Sequence, residues 1–488
     1  MRAAGLSMQR EIDRVPLCID LDGTLLRTDL LHESVFLLLK QNPLLLLWLP
    51  LWLLRGRAHL KARLAERVCF DWGSLPINEE VAALARAARA EGRPVVLATA
   101  SPQRLAEPLA ESLGLFDAVV STEGSVNLSG KDKCAALVAR YGERGFDYAG
   151  NGRSDLPVWA SARRSIVVSP SAALARAAAG VSEVERVLPV ARPRFGTYLR
   201  ALRVHQWLKN LLIFVPLAAA HQLSSLAGLL QALLAFVAFS ACASSVYVLN
   251  DLLDLEADRG HVRKRKRPFA SALIPVWQGA LMTPALLLVA FAVAAYVTPA
   301  FCLVLAVYFA ITLAYSLLLK RQVMVDVLLL AGLYTLRVVA GGAATGIVPS
   351  FWLLAFSMFI FLSLALVKRY SEMLVTAQQN RQTAAGRGYS TQDLPVLMSA
   401  GTSSAMVAVL VLALYINNPS TEKLYPASQW LWLAPPLMLY WVSRLWMKAH
   451  RGEIDDDPVV FAIRDWQSLT VAALVGGCFA LASFGVGA

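Results

Sequence analysis

The distribution of hydrophobic and polar residues divides the chain into two parts. Residues 1–197 alternate short apolar runs with charged stretches, which is typical of the strands and helices of an α/β domain. From about Asn210 onward, apolar runs dominate, and many reach the roughly 20 residues that a helix needs to cross a membrane. The pattern therefore predicts an N-terminal α/β domain followed by an all-α, polytopic membrane domain.

Nine transmembrane helices are predicted, centred near residues 217, 238, 289, 309, 334, 361, 406, 436 and 476. The first is the weakest, because Pro216 and His221 interrupt it. The links rich in Lys and Arg all fall on one side of the membrane: 259–267, 320–321, 368–387 and 444–464. Because positive loops stay in the cytoplasm, we expect the N-terminal domain there and the C-terminus outside a bacterial-type inner membrane.

The composition agrees with an integral membrane protein. Hydrophobic residues make up 57% of the chain, charged residues only 16%, and the mean hydropathy is +0.53. The net charge of +12 suits cytoplasmic loops, whereas no basic patch with interleaved aromatics indicates nucleic acid binding. The six cysteines form no CxxC pair, so we interpret them as reduced, structural residues.

An acidic stretch directly followed by a basic one, "VLNDLLDLEADRGHVRKRKRPFA" (residues 248–270), lies at the predicted cytoplasmic end of the second span. Asn250, Asp254 and Asp258 are spaced four apart and would share one helix face, with Asp251 beside it. Several carboxylates near a membrane repel one another and are costly, and a divalent cation removes both penalties. These four residues are therefore predicted ligands of Mg²⁺, which binds carboxylates together with substrate phosphates.

The basic block that follows is predicted to bind the phosphate oxygens that the metal does not reach, through Lys264, Arg265 and Arg267. A plainer interpretation is a topology anchor after a helix end. That interpretation explains the basic block but leaves the acidic face unexplained, so we favour a site for Mg²⁺ and diphosphate.

Further cations are candidates for binding ribose or lipid phosphate. Arg337 is the most informative, because a charge inside an apolar span indicates function. For Lys320, an anchor that snorkels to the interface is an equally good interpretation, and Tyr315 also fits an aromatic belt. The other candidates are Lys209, Lys368 and Arg369.

The acidic stretch resembles the NDxxDxxxD motif of the UbiA superfamily of intramembrane prenyltransferases, and the resemblance covers roughly residues 195–488. It implies nine membrane helices around a cavity that opens to the cytoplasm, and Mg²⁺ that helps a diphosphate to leave. "RVHQWLKN" (203–210), "YSLLLKRQVMVDVLLLAGLYTLRVVAGGAATG" (315–346) and "KRYSE" (368–372) resemble one branch, the polyprenyl-phosphate phosphoribosyltransferases. That branch implies phosphoribosyl diphosphate and a polyprenyl phosphate as substrates, with Tyr315 and Asp326 near them.

Aromatic prenyltransferases of the quinone or haem type are the alternative within this superfamily. They contain a second acidic motif of the DxxxD kind, but here Asp326 is followed four residues later by Leu330. This departure weighs against them. In the favoured reaction C1 of the ribose becomes cationic as diphosphate departs, so Mg²⁺ on Asp254 and Asp258 would be catalytic.

Four motifs of the N-terminal half fall where parallel strands would end: "LCIDLDGTLL" (17–26), "PVVLATAS" (94–101), "GKDKCAALVARYG" (130–142) and "FDYAGNGRSDLPVW" (146–159). Alternating strands and helices predict a doubly wound parallel sheet, whose active site lies at the carboxyl ends of the strands.

These motifs supply the groups that phosphoryl transfer needs. Asp20 can attack phosphorus and bind Mg²⁺, Asp22 can protonate the leaving oxygen, and Asp155 can complete the metal site. Thr99 and a lysine, Lys133 in preference to Lys131, can neutralise the phosphoryl oxygens.

The same motifs resemble the haloacid dehalogenase-like phosphatases over roughly residues 15–175, and Asp22 is counted among the candidate ligands with Asp20 and Asp155. Asn151 stands where phosphoserine-phosphatase-like members often have an Asp, and its amide is a weaker ligand. With this weaker ligand the phosphatase could be slow, or the domain could bind phosphate without catalysis. We favour an active phosphatase.

Between the first two motifs lies "LLLKQNPLLLLWLPLWLLRGR" (37–57), whose longest apolar run is too short to span a membrane. It fits a buried cap helix or an interfacial element, and its two Trp and flanking Arg residues favour the latter. The predicted domains are residues 1–175 with a cap at about 30–75, a linker at 176–197, and residues 198–488.

Three classes of function are compatible with these patterns. A phosphoribosyltransferase fused to a phosphatase that removes the ribose 5-phosphate, giving polyprenyl-phosphoryl-ribose, is favoured. An aromatic prenyltransferase with an accessory phosphatase is second. A transporter or scaffold with vestigial motifs fits poorly, because two metal–phosphate constellations occur in one chain. Membrane lipids and a further copy of the chain are expected partners.

Overall fold

The computed structural model describes residues 15–123, 127–380, 382–383, 388–454 and 458–485. The chain forms two compact units. The first combines the chain up to Arg203 with Tyr247–Pro284, and the second combines Val204–Val246 with the rest from Ala285. The acidic stretch predicted as a transferase site therefore belongs to the same unit as the N-terminal α/β domain.

A six-stranded, wholly parallel sheet forms the centre of the first unit, in the order β3-β2-β1-β4-β5-β6. β1 and the start of β2 consist of apolar residues that are buried on both faces of the sheet, as expected for a sheet covered by helices. This confirms the predicted doubly wound sheet. The strands are β1 Leu17–Ile19, β2 Val95–Pro102, β3 Ala118–Thr122, β4 Asp147–Gly150, β5 Arg164–Val168 and β6 Glu183–Leu188.

The helices of this domain lie between and after the strands. They are α1 Leu30–Gln41, α2 Leu49–Leu54, α3 Arg57–Ala65, α4 Glu79–Ala90, α5 Gln103–Leu113, α6 Lys131–Tyr141, α7 Leu156–Ser161, α8 Ala172–Ala179 and α9 Phe195–Ala201. A 3-10 helix, Pro43–Trp48, connects α1 to α2. The cap is the segment from α1 to a 3-10 helix at Trp72–Ser74, inserted between β1 and β2.

The sheet extends beyond the predicted domain boundary at residue 175. β6 pairs with β5, so part of the segment predicted as a linker, 176–197, is a strand. Its alternation is obscured in sequence because Glu183, Glu185 and Arg186 are charged and largely solvent-exposed. Charged residues are typical of an edge strand, where they discourage pairing with another chain.

The cap exposes an unusually apolar surface. Leu44, Leu47 and Leu54 are 72%, 74% and 83% exposed, and Trp48 is 53% exposed. Trp52, in contrast, is buried, with the guanidinium of Arg67 over its ring at 4.9 Å. The segment predicted to be either cap or interfacial element is thus part of a folded cap whose outer leucines face away from the core.

Seven helices in the described part of the chain are long and apolar enough to cross a membrane. They match seven predicted centres: Leu226–Leu253, Val276–Val297, Pro299–Leu317, Val325–Thr345, Phe351–Gln378, Thr391–Ile416 and Trp466–Phe484. In chain order, the helices of this half are α10 Val215–Ala219, α11 Leu226–Leu253, α12 Leu255–Arg259, α13 Val276–Val297, α14 Pro299–Leu317, α15 Val325–Thr345, α16 Phe351–Gln378, α17 Leu394–Ile416, α18 Pro419–Leu424, α19 Ala434–His450, α20 Pro458–Arg464 and α21 Trp466–Phe484.

The predicted spans near residues 217 and 436 are not single long helices, so the number nine is not confirmed. The first is a 3-10 segment, Val204–Phe214, followed by the short α10. The second is a 3-10 segment, Ser428–Leu433, followed by α19, which has 17 residues. Proline at the first positions of α10 and α19 explains both breaks, because it lacks the N–H that a continuous helix requires.

Candidate functional site

Asp20 lies directly after β1, where its backbone N–H donates to Ala149 O at 2.9 Å. One carboxylate oxygen is 2.6 Å from the ammonium of Lys133, and the hydroxyl of Thr24 donates to the other at 3.4 Å. Burial raises the pKa of Asp20 to about 6, although the charge of Lys133 opposes that shift. The buried, ion-paired carboxylate is suited to attack phosphorus in its anionic form.

Asp22 has a different environment. Its oxygens accept hydrogen bonds from the backbone N–H of Leu30 at 2.9 Å and the hydroxyl of Ser101 at 2.8 Å. Burial, followed by the nearby charge of Asp29, raises the pKa of Asp22 to about 7. A carboxyl group that is partly protonated near neutral pH fits the predicted role of proton donor. The raised pKa therefore supports the role of proton donor, and the role of metal ligand stays a prediction.

Asp155 is held by three groups of the same strand and loop. One oxygen accepts the N–H groups of Asn151 and Gly152 at 3.0 and 2.9 Å, and the other accepts the hydroxyl of Tyr148 at 3.0 Å. The ammonium of Lys133 donates to Tyr148 at 3.0 Å and is 4.0 Å from Asp155. These buried polar contacts place the carboxylates of Asp20 and Asp155 around the ammonium of Lys133.

The predicted Lys133 is the lysine that enters this site. It is buried, whereas Lys131 at the start of α6 is exposed. Burial opposes the charge of Lys133, but Asp20 and Asp155 outweigh that effect and raise its pKa. Thr99 is fully buried within the second half of β2, where its hydroxyl accepts the N–H of Ser101 at 2.9 Å.

The residues present fit a magnesium ion in this site. Two carboxylates, those of Asp20 and Asp155, converge on a single cationic atom, and Mg²⁺ needs only one or two carboxylates besides water and phosphate oxygens. The side-chain amide of Asn151 lies against Gly23, where a Cβ would come within 1.9 Å of Nδ2. Gly23 has φ +77°, so the turn needs glycine for its conformation and for the space. In the described residues, no group of three or more His, Cys, Asp or Glu side chains is arranged to hold a metal.

Sequence analysis missed several residues of this site. Ser101 near the end of β2 and Tyr148 within β4 both lie inside motifs that were recognised, so those motifs were an available signal. Lys61, from α3 of the cap, gave no such signal. Its ammonium donates to Ala100 O at 2.8 Å and to Asn127 Oδ1 at 3.1 Å, and burial lowers its pKa.

The acidic stretch continues α11, but its predicted single helix face is bent at Asp254. Helical hydrogen bonds continue from Asp254 N to Asn250 O and from Asp258 N to Asp254 O, at 3.0 and 2.8 Å. Asp254 itself has φ −106° and ψ 17°, so α11 ends at Leu253 and α12 begins at Leu255. Asp251 and Asp258 are buried, while the side chain of Asp254 is 32% exposed.

Asp251 and Asp258 converge on one guanidinium group. Nη1 of Arg267 is 3.1 Å from Asp251 Oδ1 and 2.6 Å from Asp258 Oδ2, and Arg203 pairs with the same oxygen of Asp251. Burial raises the pKa of Asp258, although Arg267 opposes that shift. Two carboxylates that meet at one cationic atom fit a divalent cation. Arg267, predicted to bind phosphate, here bridges the carboxylates, whereas Lys264 and Arg265 are exposed.

The cap contacts this acidic stretch at three places within the first unit. Both Nη atoms of Arg259 donate to the carboxylate of Glu33, at 2.8 and 2.6 Å. Lys40 Nζ lies 3.2 Å from Asp254 Oδ1, and the N–H of Asp71 donates to Glu256 at 2.7 Å. These pairs join residues about two hundred positions apart, so no sequence motif indicates them.

In the second unit, Arg337 occupies an aromatic cage. Its guanidinium lies 5.2, 5.2 and 5.4 Å from the rings of Phe239, Tyr308 and Tyr334 and donates to Asn210 Oδ1 at 2.9 Å. The ammonium of Lys209 lies 5.6 Å from the ring of Tyr334. The structure thus brings Lys209 and Arg337, two predicted phosphate-binding residues, to one aromatic side chain.

Asp326 and Arg369, both predicted to bind substrate, form an ion pair with each other at 2.6 Å. Both are almost fully buried, and the hydroxyl of Tyr389 donates to Asp326 at 2.6 Å while it accepts the N–H of Met324 at 2.8 Å. These contacts indicate that the pair connects α15 to α16 and to the loop that follows α16. The half-buried Asn250, Tyr315, Lys320 and Lys368 remain predicted substrate-binding residues.

The fold defines a multi-pass membrane protein with an N-terminal α/β domain of hydrolase type. The haloacid dehalogenase-like hydrolase pattern matches residues 17–159, and the UbiA prenyltransferase pattern matches residues 211–484. The chain therefore belongs to the UbiA prenyltransferase family and is a fusion of such a domain to a haloacid dehalogenase-like domain. The predicted resemblances are confirmed for both halves.

Similar proteins include two relatives of known sequence and one solved structure. The protein y4nM of Sinorhizobium fredii is 38% identical over 96% of this chain and 91% of its own length. The decaprenyl-phosphate phosphoribosyltransferase of Mycobacterium tuberculosis is 35% identical over 44% of this chain and 72% of its own length. A UbiA homologue from Archaeoglobus fulgidus bound to GPP and Mg²⁺ matches with 17% identity and a TM-score of 0.43, over 58% of this chain and 99% of its own.

Proposed function

We propose that the chain is a Mg²⁺-dependent transferase that moves a phosphoribosyl group from phosphoribosyl diphosphate to a polyprenyl phosphate, and that its N-terminal domain then removes the 5-phosphate. The observation that supports this most directly is the convergence of Asp251 and Asp258 on Arg267, beside a basic block, in a chain whose relatives include a decaprenyl-phosphate phosphoribosyltransferase. Phosphoribosyl diphosphate and the lipid are the proposed substrates.

In the transferase step, an oxygen of the lipid phosphate forms a bond to C1 of the ribose. The bond between C1 and the diphosphate oxygen breaks, and diphosphate leaves with the electron pair. The acceptor is already an anion, so the chain needs no strong general base. When Mg²⁺ is bound, it supplies charge neutralisation for the leaving group, and Asp251, Asp254 and Asp258 would hold it.

In the phosphatase step, Asp20 attacks the phosphorus of the ribose 5-phosphate, and the bond from phosphorus to the ribose oxygen breaks. Asp22 donates its proton to that oxygen. Water then hydrolyses the aspartyl phosphate, which releases inorganic phosphate and restores Asp20. Lys133 and Thr99 stabilise the phosphoryl oxygens, and Asp20 and Asp155 would hold Mg²⁺.

The membrane placement is part of the proposal. The exposed leucines and Trp48 of the cap would lie in the headgroup layer, so that the phosphatase site stays near a lipid-linked substrate. The segments 204–219 and 428–450 would complete nine crossings, with the N-terminal domain in the cytoplasm and the C-terminus outside.

Aromatic prenylation is less well supported. The acid that would begin the second acidic motif, Asp326, is buried against Arg369 and Tyr389, and the position four residues on is Leu330. Without a second carboxylate four residues on, Asp326 lacks the partner that the second acidic motif would supply for a second metal.

The proposal is tested with purified full-length protein, radiolabelled phosphoribosyl diphosphate and decaprenyl phosphate. We expect Mg²⁺-dependent transfer of label to the lipid fraction together with release of diphosphate. A parallel reaction contains geranyl diphosphate and 4-hydroxybenzoate in place of those substrates. Product in the parallel reaction alone would overturn the assignment in favour of aromatic prenylation.

A further inference from the structure

Helix α1 of the cap extends from the phosphatase site to the acidic stretch. Near its start, the N–H of Leu30 donates to Asp22 at 2.9 Å, and near its end, Lys40 Nζ lies 3.2 Å from Asp254 Oδ1. At about 1.5 Å per residue, these two positions are roughly 15 Å apart along the helix axis. A side chain of the phosphatase domain therefore stands at a carboxylate of the proposed transferase metal site.

Helix α1 contacts the acidic stretch through one buried ion pair and one partly exposed ion pair. Glu33 and Arg259 are both almost completely buried and share two charge-assisted hydrogen bonds. Breaking such a pair leaves an uncompensated buried charge, so this ion pair anchors α1 on the acidic stretch. The side chains of Lys40 and Asp254 are 37% and 32% exposed, and ion pairs of that kind are weak and exchange partners readily.

A cleft lies beside Lys40. A cleft open to solvent is lined on one side by Leu37, Lys40 and Phe70 of the cap, and on the other by Leu252, Leu255 and Glu256. Lys40 also stands in the last turn of α1, where a cation stabilises the helix. A lysine in that turn stabilises the helix without an ion-pair partner. The contact of Lys40 with Asp254 is therefore not explained by helix stabilisation.

We propose that Lys40 is a diphosphate-binding residue of the transferase site, contributed by the phosphatase domain. The inference rests on the proposed function, in which diphosphate leaves at the acidic stretch. With Asp254 engaged by the metal, the ammonium of Lys40 stays beside it and donates to oxygens of the diphosphate. Lys40 keeps its proton throughout and stabilises negative charge on the leaving group. The cap thus supplies a diphosphate-binding cation that the transferase helices alone would lack.

The test measures binding of Mn²⁺ and of inorganic diphosphate to the full-length protein by calorimetry. Lys40→Ala should weaken diphosphate binding in the presence of Mn²⁺ by roughly ten- to a hundredfold, the loss expected for one hydrogen bond to a charged group. The same variant should bind Mn²⁺ alone as tightly as the parent protein or more tightly, because a competing cation is gone. Lys40→Arg should retain most of the diphosphate affinity.

Arg63→Ala is the matched control, because Arg63 is also a cap cation in an exposed ion pair, with Glu66. It should leave both affinities unchanged. Equal diphosphate affinity in Lys40→Ala and the parent protein would overturn the inference but leave the proposed function standing. Equal losses of Mn²⁺ and diphosphate affinity would also overturn it, since Lys40 would then only position the helix. If the parent protein binds no diphosphate with Mn²⁺, the proposed function and the inference both fail.

Discussion

Glu33 and Arg259 form a buried, two-pronged ion pair, although 226 positions separate them in the chain. Glu33 lies in the first turn of α1, and Arg259 is the last residue of α12, directly after the acidic stretch. The pair therefore joins the cap of the haloacid dehalogenase-like domain to the segment that bears the proposed transferase metal ligands. Both charged groups are buried away from water, so each one needs the other as its counter-ion.

Removing one partner of this pair should destabilise the first unit. Glu33→Ala leaves Arg259 buried without a counter-ion, and we expect a loss of about 3–5 kcal/mol in the free energy of unfolding. Thermal unfolding in detergent measures the loss. The double variant Glu33→Leu with Arg259→Met should recover most of it, whereas Arg63→Ala, at an exposed pair, should change stability by less than about 1 kcal/mol. Unchanged stability in Glu33→Ala would show that the pair contributes nothing.

Asp258→Asn should abolish transfer to the lipid without unfolding the protein. Loss of one metal carboxylate removes several kcal/mol of transition-state stabilisation, which corresponds to a rate reduction of roughly a hundredfold or more. Asp254→Asn should act in the same direction. Glu256→Gln is the matched control, because it removes a charge from the same stretch but retains an acceptor for the N–H of Asp71. Full transfer by Asp258→Asn would contradict the assigned site.

The phosphatase should work best between the pKa values of its two carboxyl groups. Asp20 acts as an anion, so activity should rise as the pH increases through its pKa of about 6. Asp22 acts as an acid, so activity should fall as the pH increases through its pKa of about 7. Bound Mg²⁺ moves the lower limb to lower pH, which makes the upper limb the diagnostic one. With p-nitrophenyl phosphate as substrate, Asp22→Asn should lack the upper limb, and an unaltered profile in that variant would exclude Asp22 as the acid.

Asp20→Asn should separate the two proposed reactions. The variant lacks the nucleophile, so it should accumulate the lipid that still bears the ribose 5-phosphate. The parent protein should give the lighter lipid and inorganic phosphate, resolved by mass spectrometry. Tethering of both sites in one chain makes the handover efficient, with effective concentrations on the order of mM. Identical phosphorylated lipid from both proteins, without phosphate release, would show that the domain acts on another substrate.

A tag at the C-terminus should be accessible from outside the cytoplasm, and a tag in the loop at residues 259–267 should not be. The physical basis is the concentration of Lys and Arg in alternate links. Reporter fusions at both positions in intact cells measure this. An accessible basic loop would reverse the orientation of every span.

The sequence alone determined the features that depend on local order along the chain. Asp20 and Asp22 are two residues apart in the loop after β1, Thr99 lies in the second half of β2, and Asp155 follows β4. These strands are largely buried, so the meeting of the four residues at one sheet edge was predictable. Seven membrane helices were predictable for a similar reason, because the length and apolarity of each run are enough to identify a span. The UbiA and haloacid dehalogenase-like halves were recognisable from motifs of the same local kind.

Only the tertiary structure decided which distant groups meet. It paired Asp326 with Arg369, which had been predicted separately as substrate-binding residues, and it brought Lys40 to Asp254. It also bent the acidic face at Asp254 and added β6 to the sheet, although charged residues obscure that strand in sequence. Ion pairs and edge-strand pairing depend on the position of a partner far away in the chain, and no periodicity or spacing in the sequence records that position.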